Sequence, residues 1–308
     1  MNEPLVTVIT VTYNSARYVK DAIESVLALT YPNIEYIIGD DCSKDNTWEI
    51  IGSYKDPRIK AYCNPTNIGE YPNRNKALGL ATGKYLLFID GDDMIYPHAV
   101  SYFVDLMEQF PDAAIAIQKN YLNNVVFPVL LSPTEVLTNY FFGRTPLISS
   151  SLASNFFRTD RLKATGGFSG KFRSGDEEIR LKLACTDPFL LVQGWVTWPR
   201  ETPGSASVKI HRLDGLSEVY RIVLDLQATG SLRGAGAGMD DLIVRHMRNM
   251  LRTEMLKCLL KGDLRTALSL KKKNNFTWRD LRNPTRINGY PQDFLANATP
   301  VKPFKQLR

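Results

Sequence analysis

Three carboxylates stand close together in the sequence: Asp90, Asp92 and Asp93, with Gly91 as the only spacer. Hard divalent cations take oxygen ligands, and Mg²⁺ or Mn²⁺ is commonly held by one or two carboxylates together with substrate phosphates. Carboxylates packed together also raise each other's pKa values unless a cation relieves the repulsion. The spacing therefore predicts a metal site, although an acidic turn that caps the following helix is the other interpretation open at this point.

The element that must position these carboxylates is the apolar run before them, residues 86–89. So short and apolar a run is typical of a strand buried on both faces, as in parallel sheets. The carboxylates would then follow the carboxyl end of the strand, the edge at which open α/β sheets bind ligands. Asp40 and Asp41 follow a second such run, residues 34–39, so both acidic turns are expected to face one crevice.

Strand and helix patterns alternate along the first 118 residues. Asn14 or Ser15 is expected to cap the first helix. Alternation at these lengths predicts a parallel α/β sheet with right-handed crossovers. The expected strands are 5–11, 34–39, 59–63, 86–89 and 113–118. The expected helices are 16–29, a short one that begins at Ser43 or Asp45 and ends at 51, 72–80 and 97–110. Neither of the familiar glycine-rich phosphate loops follows the first strand, so a phosphate would have to be held through a metal and side chains.

The patterns beyond residue 118 are more varied. Asn123 and Asn124 suit a hairpin turn, and Ser132 and Glu135 form a capping box with Pro133 at the first helical position. A strand is expected at 150–157, a short helix at 158–165 and a further helix after residue 174. Helical spacing returns at 219–226, 242–260 and 264–270, with a glycine-rich link at 230–238 and an irregular tail from 283.

Composition indicates a globular protein. The chain has 308 residues, 44% of them hydrophobic, which suffices for one large core or for a core with an appendage. No stretch approaches the roughly 18 apolar residues of a membrane helix and no leader precedes the first strand, so a cytoplasmic location is expected. The four cysteines lack metal-ligand spacing, which favours free thiols over disulfides or a zinc site.

Positive charge is concentrated in the last quarter of the chain. The net charge is +6, and residues 245–286 hold twelve Lys and Arg residues. Such a segment could meet nucleic acid, an anionic bilayer surface or a phosphorylated substrate, while a solvated helical surface is the commonest explanation of a charge-rich segment. Nucleic acid ranks below the bilayer because few aromatic side chains are interleaved with these charges.

Five segments, in this order, resemble the successive motifs of the family 2 inverting glycosyltransferases. The resemblance extends over roughly residues 4–207 and implies a GT-A fold, a nucleotide-sugar donor and a divalent metal. The segments are residues 6–15 (VTVITVTYNS), 38–43 (IGDDCS), 67–77 (NIGEYPNRNKA), 83–93 (GKYLLFIDGDD) and 166–184 (GGFSGKFRSGDEEIRLKLA).

The resemblance implies a nucleotide-sugar site built by Val11, Tyr13, Asp41 and Arg74. Val11 and Tyr13 would lie beside the nucleotide base, with Asp41 within hydrogen-bonding reach of it. Arg74 would lie near the nucleotide, where a guanidinium can pair with phosphate oxygens. The alternative interpretations are a packing aromatic for Tyr13 and a surface helix residue for Arg74.

Asp90 and Asp92 match the two ends of the family's metal motif, which also places them beside the nucleotide sugar. Asp92 is expected to lie closest to a Mn²⁺ or Mg²⁺ ion, with Asp93 next to it. Such an ion would neutralise the charge that builds on the departing nucleoside diphosphate.

The presumed catalytic base is Asp176, which the resemblance places at the start of a helix. Many relatives carry Glu-Asp here, whereas this chain has Gly175 before Asp176. Glu177 is assigned to the acceptor side, although an acid in a first helical turn is ordinarily a partner of the helix dipole. Trp198 is also assigned there. For Trp198 and Trp195 packed strand aromatics are favoured over sugar stacking.

One late motif departs from the family. Residues 203–205, Pro-Gly-Ser, resemble the end of its HPGS turn, but Thr202 stands in place of the histidine. Any contact that this histidine makes in relatives is therefore absent here.

The predicted fold class is α/β: a GT-A type, mostly parallel sheet flanked by helices, with a C-terminal helical extension. Residues 1–212 form the glycosyltransferase domain, divided into a nucleotide-sugar-binding half (1–118) and an acceptor-side half (119–212), and residues 213–308 form the basic extension.

The predicted function is metal-dependent, inverting transfer from a nucleotide sugar, with UDP favoured, to a glycan or lipid-linked glycan in cell-surface polysaccharide synthesis. The enzyme could be peripheral at the inner face of an anionic membrane. A nucleotide-sugar-binding protein without turnover and a sugar-phosphate nucleotidyltransferase are the alternatives. Nothing in the sequence indicates the oligomeric state.

Overall fold

Strands and helices alternate along the first 118 residues of the computed structural model, as the apolar patterns predict. The structure describes residues 3–119, 127–143, 150–198, 200, 212–232, 236 and 238–279. The strands in chain order are β1 Val6–Thr12, β2 Ile34–Asp40, β3 Ile59–Cys63, β4 Tyr85–Phe88, β5 Met94–Ile95, β6 Ile115–Gln118, β7 Val129–Leu131, β8 Asn155–Arg158, β9 Phe189–Val192 and β10 Thr197–Trp198.

The helices flank this sheet and form the C-terminal region. They are α1 Val19–Leu27, α2 Thr47–Ser53, α3 Glu70–Leu80, α4 Ala99–Gln109, α5 Pro133–Phe142, α6 Thr159–Ala164, α7 Gly175–Ala184, α8 Arg212–Ala228, α9 Met239–Leu260 and α10 Leu264–Lys273. The predicted capping box is confirmed, because Ser132 Oγ accepts from the Glu135 backbone and Glu135 reaches back to Ser132 N. None of the helices in the described part of the chain is long and apolar enough to cross a bilayer.

The described strands form an eight-stranded sheet in the order β3-β2-β1-β4-β8-β6-β9-β7 and a two-stranded ribbon of β5 and β10. The first four of these strands are parallel to one another, as predicted. Strand β8 runs antiparallel between β4 and β6, and β7 is antiparallel to β9. The sheet is therefore mixed, with its uninterrupted parallel half at the start of the chain.

Several predicted boundaries differ from the structure, among them that of the helix predicted at 219–226, which spans Arg212–Ala228, and two of the differences have identifiable reasons. The strand expected at 150–157 begins only at Asn155, because the Asn155 amide donates to Ser151 O and Leu152 O and closes a 3-10 turn before the strand. Neither Asn14 nor Ser15 caps α1, which begins at Val19. Instead, Asn14 exchanges hydrogen bonds with residues 43–44 and thereby ties the loop after β1 to the loop after β2.

The hydrophobic core lies on both faces of the sheet. Alternate residues of β4 enter opposite clusters: Leu86 and Phe88 face one, Tyr85 and Leu87 the other. This confirms that the strand before the acidic turn is buried on both faces. The first cluster also contains side chains of α8, α9 and α10, so the C-terminal helices pack into the core of the sheet rather than forming a separate one. All four cysteines are free thiols, as predicted.

Candidate active site

The acidic turns after β2 and β4 lie at the carboxyl edge of the parallel strands. Asp40 is paired with Thr12 in the sheet register, and the turn at Asp90 lies beside the end of β1. A Cβ at Gly91 would stand 2.9 Å from Thr12 Cγ2, so glycine permits this close approach. Parallel strands thus bring both turns to one crevice, as the strand order requires.

Asp41 is buried, and its carboxylate is occupied by the chain itself. It accepts hydrogen bonds from Asn64 Nδ2 at 2.9 Å, Ile68 N at 3.0 Å and Gly69 N at 2.8 Å. The side chain therefore fixes the loop that leads into α3. Its predicted contact with a nucleotide base stays a prediction.

Tyr13 and Val11 occupy the end of β1. Tyr13 is 47% exposed, whereas Val11 is partly buried against the core. An exposed ring at this edge leaves a flat face open to a ligand. Tyr13 is therefore not held as a packing aromatic, and the placement beside a base stays a prediction for both residues.

Arg74 on α3 is the centre of the charged network in the crevice. Its Nη2 donates to Asp90 Oδ1 at 2.6 Å, while Nη1 lies 2.7 Å from Glu70 Oε1 and 3.5 Å from Asp176 Oδ1. The side chain is only 4% exposed, so Arg74 is not a surface helix residue. One guanidinium therefore joins the acidic turn to the predicted base, which lies 102 positions further along the chain.

The electrostatic environment of Arg74 favours its charged form. Burial alone lowers the pKa of an arginine, but Asp90, Glu70 and Asp176 together raise the pKa of Arg74 above its usual value. Glu70 is a further member of this network, and its i,i+4 spacing from Arg74 on one helix is the sequence signal that indicates the pair. Burial also raises the pKa of Glu70, which Arg74 opposes.

Asp93 lies on the buried side of the acidic turn. Burial, the largest cause, and the nearby charges of Asp90 and Asp92 raise its pKa to about 7, although the Arg200 backbone N–H donates to its carboxylate at 2.9 Å. Arg200 also donates from Nε to Asp92 O at 3.1 Å and from Nη2 to Asp21 at 2.7 Å. Arg200 thus holds the turn from outside, a role that no sequence pattern indicated.

The three predicted metal ligands do not form a preassembled cage. Within the described ranges, no group of three His, Cys, Asp or Glu side chains converges on one point that could hold a metal ion. Asp90 is directed to Arg74 and Asp93 to Arg200, while Asp92 is half-buried between them. The donors fit an ion held by one or two carboxylates and completed by substrate phosphate oxygens.

Asp176 lies in the first turn of α7, with 34% of its side chain exposed to the crevice. Burial raises the pKa of its carboxyl, and the guanidinium groups of Arg74 and Arg180 oppose this rise. A carboxylate with a raised pKa is a stronger base when it is ionised. The position and environment of Asp176 therefore suit proton abstraction in the crevice.

Tyr71 holds the backbone next to Asp176. Its hydroxyl donates to Arg173 O and accepts from Gly175 N at 2.9 Å, and its ring stacks on Phe168. A Cβ at Gly175 would overlap the Tyr71 ring. The ring therefore fills the space that a larger residue at position 175 would need, and Tyr71 is a further residue that the sequence analysis did not identify.

Glu177 is turned away from Asp176 into a second charged cluster. It is ion-paired with the buried Arg180, which also donates from Nη1 to Ser150 O at 2.9 Å. Lys119 lies near the same pair, and burial together with the charge of Arg180 lowers its pKa to about 8. Glu177 thus has a structural ion pair, and its acceptor-side role stays a prediction.

The two tryptophans after β9 differ in their environments. Trp195 is 55% exposed and lies outside the strands, while Trp198 in β10 is 41% exposed with the Arg200 guanidinium 5.2 Å from its ring. The favoured interpretation as a strand aromatic thus fits Trp198, which lies in β10, but not Trp195, which lies outside the strands. The acceptor-side role of Trp198 stays a prediction. The turns predicted at 123–124 and 203–205 lie outside the described residues.

The sequence matches the model of the family described as Glycosyl transferase family 2 over residues 7–175. It is 38% identical over 136 residues to the Escherichia coli UDP-Glc:alpha-D-GlcNAc-diphosphoundecaprenol beta-1,3-glucosyltransferase WfaP, covering 43% of this chain and 53% of that protein. It is 45% identical over 93 residues to the putative teichuronic acid biosynthesis glycosyltransferase TuaG of Bacillus subtilis, covering 30% of this chain and 37% of that protein. The matches thus span about half, or less, of the length of these relatives.

Solved structures share the fold at low sequence identity. Residues 1–349 of S. aureus TarS in complex with UDP-GlcNAc match with a TM-score of 0.62 and 20% identity, over 79% of this chain and 71% of that one. The Pyrobaculum calidifontis mannosyltransferase PcManGT in complex with GDP-Man and Mn²⁺ matches with a TM-score of 0.55 and 15% identity, over 89% and 84% of the two chains. The mixed sheet with flanking helices is thus the fold of these glycosyltransferases.

Proposed function

The chain belongs to glycosyl transferase family 2, and we propose that it transfers a sugar, with inversion, from a nucleotide-sugar donor to a hydroxyl group of a glycan. The observation that carries this proposal is the contact of Arg74 with both Asp90 and Asp176. The contact joins Asp176 to the acidic turn after β4, and the carboxyl edge of an open α/β sheet is where ligands bind, which supports Asp176 as the base.

In the proposed reaction Asp176 accepts a proton from the acceptor hydroxyl. The hydroxyl oxygen attacks the anomeric carbon from the face opposite the diphosphate, and the bond from that carbon to the diphosphate oxygen breaks with its electron pair leaving on the diphosphate. Configuration inverts in one displacement. Burial raises the pKa of Asp176 towards the operating pH, which favours proton transfer to its carboxylate.

The proposed donor is a UDP-sugar. Tyr13, exposed at the end of β1, has an open ring face for a uracil base, and Val11 and Asp41 border the same edge. The name of the Escherichia coli relative specifies UDP-Glc, and a structural neighbour binds UDP-GlcNAc. A GDP-sugar is the competing donor, because another neighbour binds GDP-Man.

The proposed cofactor is Mn²⁺ or Mg²⁺, with Asp92 as the main ligand, Asp90 as the second and Asp93 behind them. The oxygen donors of this turn suit such an ion, and a bound cation would oppose the rise in the pKa of Asp93 that burial and the charges of Asp90 and Asp92 cause. When bound, a divalent ion supplies Lewis-acid stabilisation of the leaving diphosphate. The Mn²⁺ in one structural neighbour supports this assignment.

The proposed acceptor is a lipid-linked glycan in polysaccharide or cell-wall synthesis, met at an anionic cytoplasmic membrane surface. The diphosphoundecaprenol in the name of the Escherichia coli relative and the teichuronic acid in that of the Bacillus subtilis relative support this acceptor class. In this proposal Trp198, whose ring is 41% exposed, and Glu177 are assigned to the side from which such an acceptor would enter.

Product analysis with a panel of nucleotide sugars and Mn²⁺ tests the proposal against its alternatives. Release of a nucleoside diphosphate that depends on an acceptor glycan is the expected result. Release of pyrophosphate from a nucleoside triphosphate and sugar phosphate would indicate a nucleotidyltransferase. Nucleotide-sugar binding without release of either product would indicate a binding protein.

A second experiment tests the metal and its main ligand. Asp92→Ala is expected to abolish transfer and metal-dependent nucleotide binding while its thermal unfolding stays close to that of the wild type. The exposed Asp112→Ala is the matched control. Full activity of chelator-treated wild type would remove the metal from the mechanism.

A further inference from the structure

The turn between α9 and α10 exposes apolar side chains. Leu260 at the end of α9 is 88% exposed, and Leu264 and Leu268 of α10 are each more than half exposed. Leu264 and Leu268 are four residues apart, so they lie on one face of the helix. Large apolar side chains grouped on a protein surface are characteristic of an interaction site.

The opposite face of α10 is anchored in the protein. Ala267 and Leu270 are buried in the core, and Asp263 caps the helix by accepting from Thr266 N at 3.1 Å. Gly262 adopts a positive φ of 76°, which allows the abrupt turn between the helices. The exposure of the leucines therefore follows from a fixed orientation of α10.

Positive charge surrounds these leucines. Arg265 and Lys272 are exposed and, at helical spacing, lie on the same face as Leu264 and Leu268. Residues 264–273 contain no acid. Between residues 257 and 279 the sequence has one acid, Asp263, against seven cations: Lys257, Lys261, Arg265, Lys271, Lys272, Lys273 and Arg279.

We propose that this face, the docking tip formed by Leu260, Leu264, Arg265, Leu268 and Lys272, inserts into the headgroup layer of an anionic bilayer. The leucines would contact the boundary between headgroups and acyl chains, and the cations beside them would pair with the anionic headgroups. The inference rests on the proposed membrane-bound acceptor and adds the surface that contacts the membrane. It also adds an apolar contribution to the free energy of membrane binding, and salt does not screen this contribution.

The docking tip is joined to the candidate base through short contacts. Lys273 of α10 pairs with Asp214 of α8, and the Glu218 carboxylate of α8 accepts from Arg173 N, next to the start of α7. Arg173 O in turn accepts from Tyr71. In an enzyme bound to the bilayer by this tip, the α7 end of the crevice is therefore held at a defined distance from the membrane surface.

The two other candidate occupants fit less well. Residues 280–308 carry five cations and two acids, so this tail would bring like charge onto a basic face. A second copy of the chain would bring its own cations to the same surface in a symmetric contact. An anionic lipid surface has the complementary charge.

Vesicle sedimentation of the full chain tests the proposal, using vesicles that contain phosphatidylglycerol and vesicles of phosphatidylcholine alone. The wild type is expected to bind the anionic vesicles and to retain part of that binding at high salt. Leu264→Ser/Leu268→Ser should lower the partition coefficient at least about tenfold at every salt concentration. Arg265→Gln/Lys272→Gln should lower it about fivefold per residue at low salt and much less at high salt.

Matched controls separate docking from general surface effects. Leu80→Ser changes a leucine that is 51% exposed, against 52% for Leu268, and Lys55→Gln removes an exposed lysine elsewhere. Both are expected to bind vesicles as the wild type does. Equal binding of the double-leucine variant and the wild type would overturn the proposal. Wild-type binding that is the same with and without anionic lipid, or no wild-type binding at all, would also overturn it.

Three further measurements complete the test. Loss of binding in a chain that ends at residue 279 would assign the contact to the tail and overturn the proposal. Loss of a dimer in the double-leucine variant, by sedimentation velocity, would assign the face to a second copy and also overturn it. Transfer to a soluble acceptor should be unchanged in every tip variant. Vesicle binding without transfer in the wild type would reject only the proposed function.

Discussion

Glu35 at the amino ends of the parallel strands and Asp93 at their carboxyl ends are both buried carboxylates, yet their pKa values move in opposite directions. Burial raises the pKa of Glu35, but hydrogen bonds from Lys60, Thr7 and Thr82 outweigh it and bring the value to about 2. Burial and neighbouring carboxylates bring that of Asp93 to about 7. At the amino edge, donors from the protein stabilise the ionised carboxylate. At the carboxyl edge, burial and neighbouring carboxylates disfavour ionisation, which a bound cation would favour.

The difference separates stability from function in this fold. Glu35 joins three strands, because it accepts from Thr7 of β1, Lys60 of β3 and Gly83 before β4. The carboxyl edge has three carboxylates within four positions, and its cations, Arg74 and Arg200, reach it from distant segments. Substitutions at the two edges should therefore have different consequences.

The largest expected effect is on the rate, at the carboxyl edge. Asp176→Asn keeps the size of the side chain and removes its basicity, so kcat should fall by about 10² to 10⁴ while donor affinity is retained. Steady-state kinetics and nucleotide-sugar titration measure the two quantities. Asp160→Asn, in the first turn of α6, is the matched control, and normal turnover by Asp176→Asn would leave Asp176 as a helix cap only.

Arg74→Gln should change both the rate and its pH dependence. The cation lowers the pKa of Asp176, so without it the pKa rises and the acidic limb of the kcat/KM profile moves to higher pH. Three carboxylates also lose their shared partner, which should cost about 1–3 kcal/mol of unfolding free energy. Arg74→Lys keeps the charge and should shift the limb less. An unchanged profile in Arg74→Gln would show that Arg74 does not act on the base.

At the amino edge, Glu35→Gln should lower stability without a specific effect on the chemical step. A folded-state pKa below the unfolded value means that the carboxylate stabilises the fold above pH 4.5 and that this stability is lost as the pH falls towards 2. Urea unfolding at pH 7 should show a loss of about 2–3 kcal/mol, and the difference from the wild type should shrink as the pH falls. A loss that is equal at pH 7 and pH 3 would contradict the ionic explanation.

Asp93 should give the opposite dependence on pH in chelator-containing buffer. A folded-state pKa raised above the unfolded value means that the folded protein binds the proton more tightly, so stability falls as the pH rises from about 4 to 7. Asp93→Asn removes this dependence and should gain stability over the wild type, by about 2 kcal/mol, at pH 8 but not at pH 4. Thermal unfolding at the two pH values measures it, and a gain of equal size at both would reject the explanation.

The smallest expected effect is that of Tyr71→Phe. The ring remains, so packing against Phe168 and Gly175 is preserved, while the hydroxyl contacts with Gly175 N and Arg173 O are lost. Stability should fall by about 1 kcal/mol. Tyr102→Phe, which also removes a hydroxyl contact with a backbone carbonyl, is the matched control. A fall in kcat in Tyr71→Phe alone would tie the hydroxyl to the alignment of Asp176.

The parallel half of the sheet was predictable because its signals are local. Runs of strand-forming residues predict β1 to β4, and the carboxylates at the ends of β2 and β4 predict the crevice. The sequence predicts too early a start for strand β8 and does not indicate its direction, since a turn closed by a side-chain amide and an antiparallel partner leave no periodic pattern. Within the candidate site the motif residues were named from resemblance. Their partners Tyr71 and Arg200 act across more than a hundred positions, where sequence spacing carries no information.

The interlock of Tyr71 with Gly175 also limits the order in which this site can be changed. Any side chain introduced at position 175 first meets the Tyr71 ring, so a single substitution there is expected to displace the start of α7. The glutamate that many relatives have at this position requires the Tyr71 ring to move or to be replaced by a smaller side chain. The two positions are therefore coupled, and we expect a variant with Glu-Asp at positions 175–176 to need a compensating change at Tyr71.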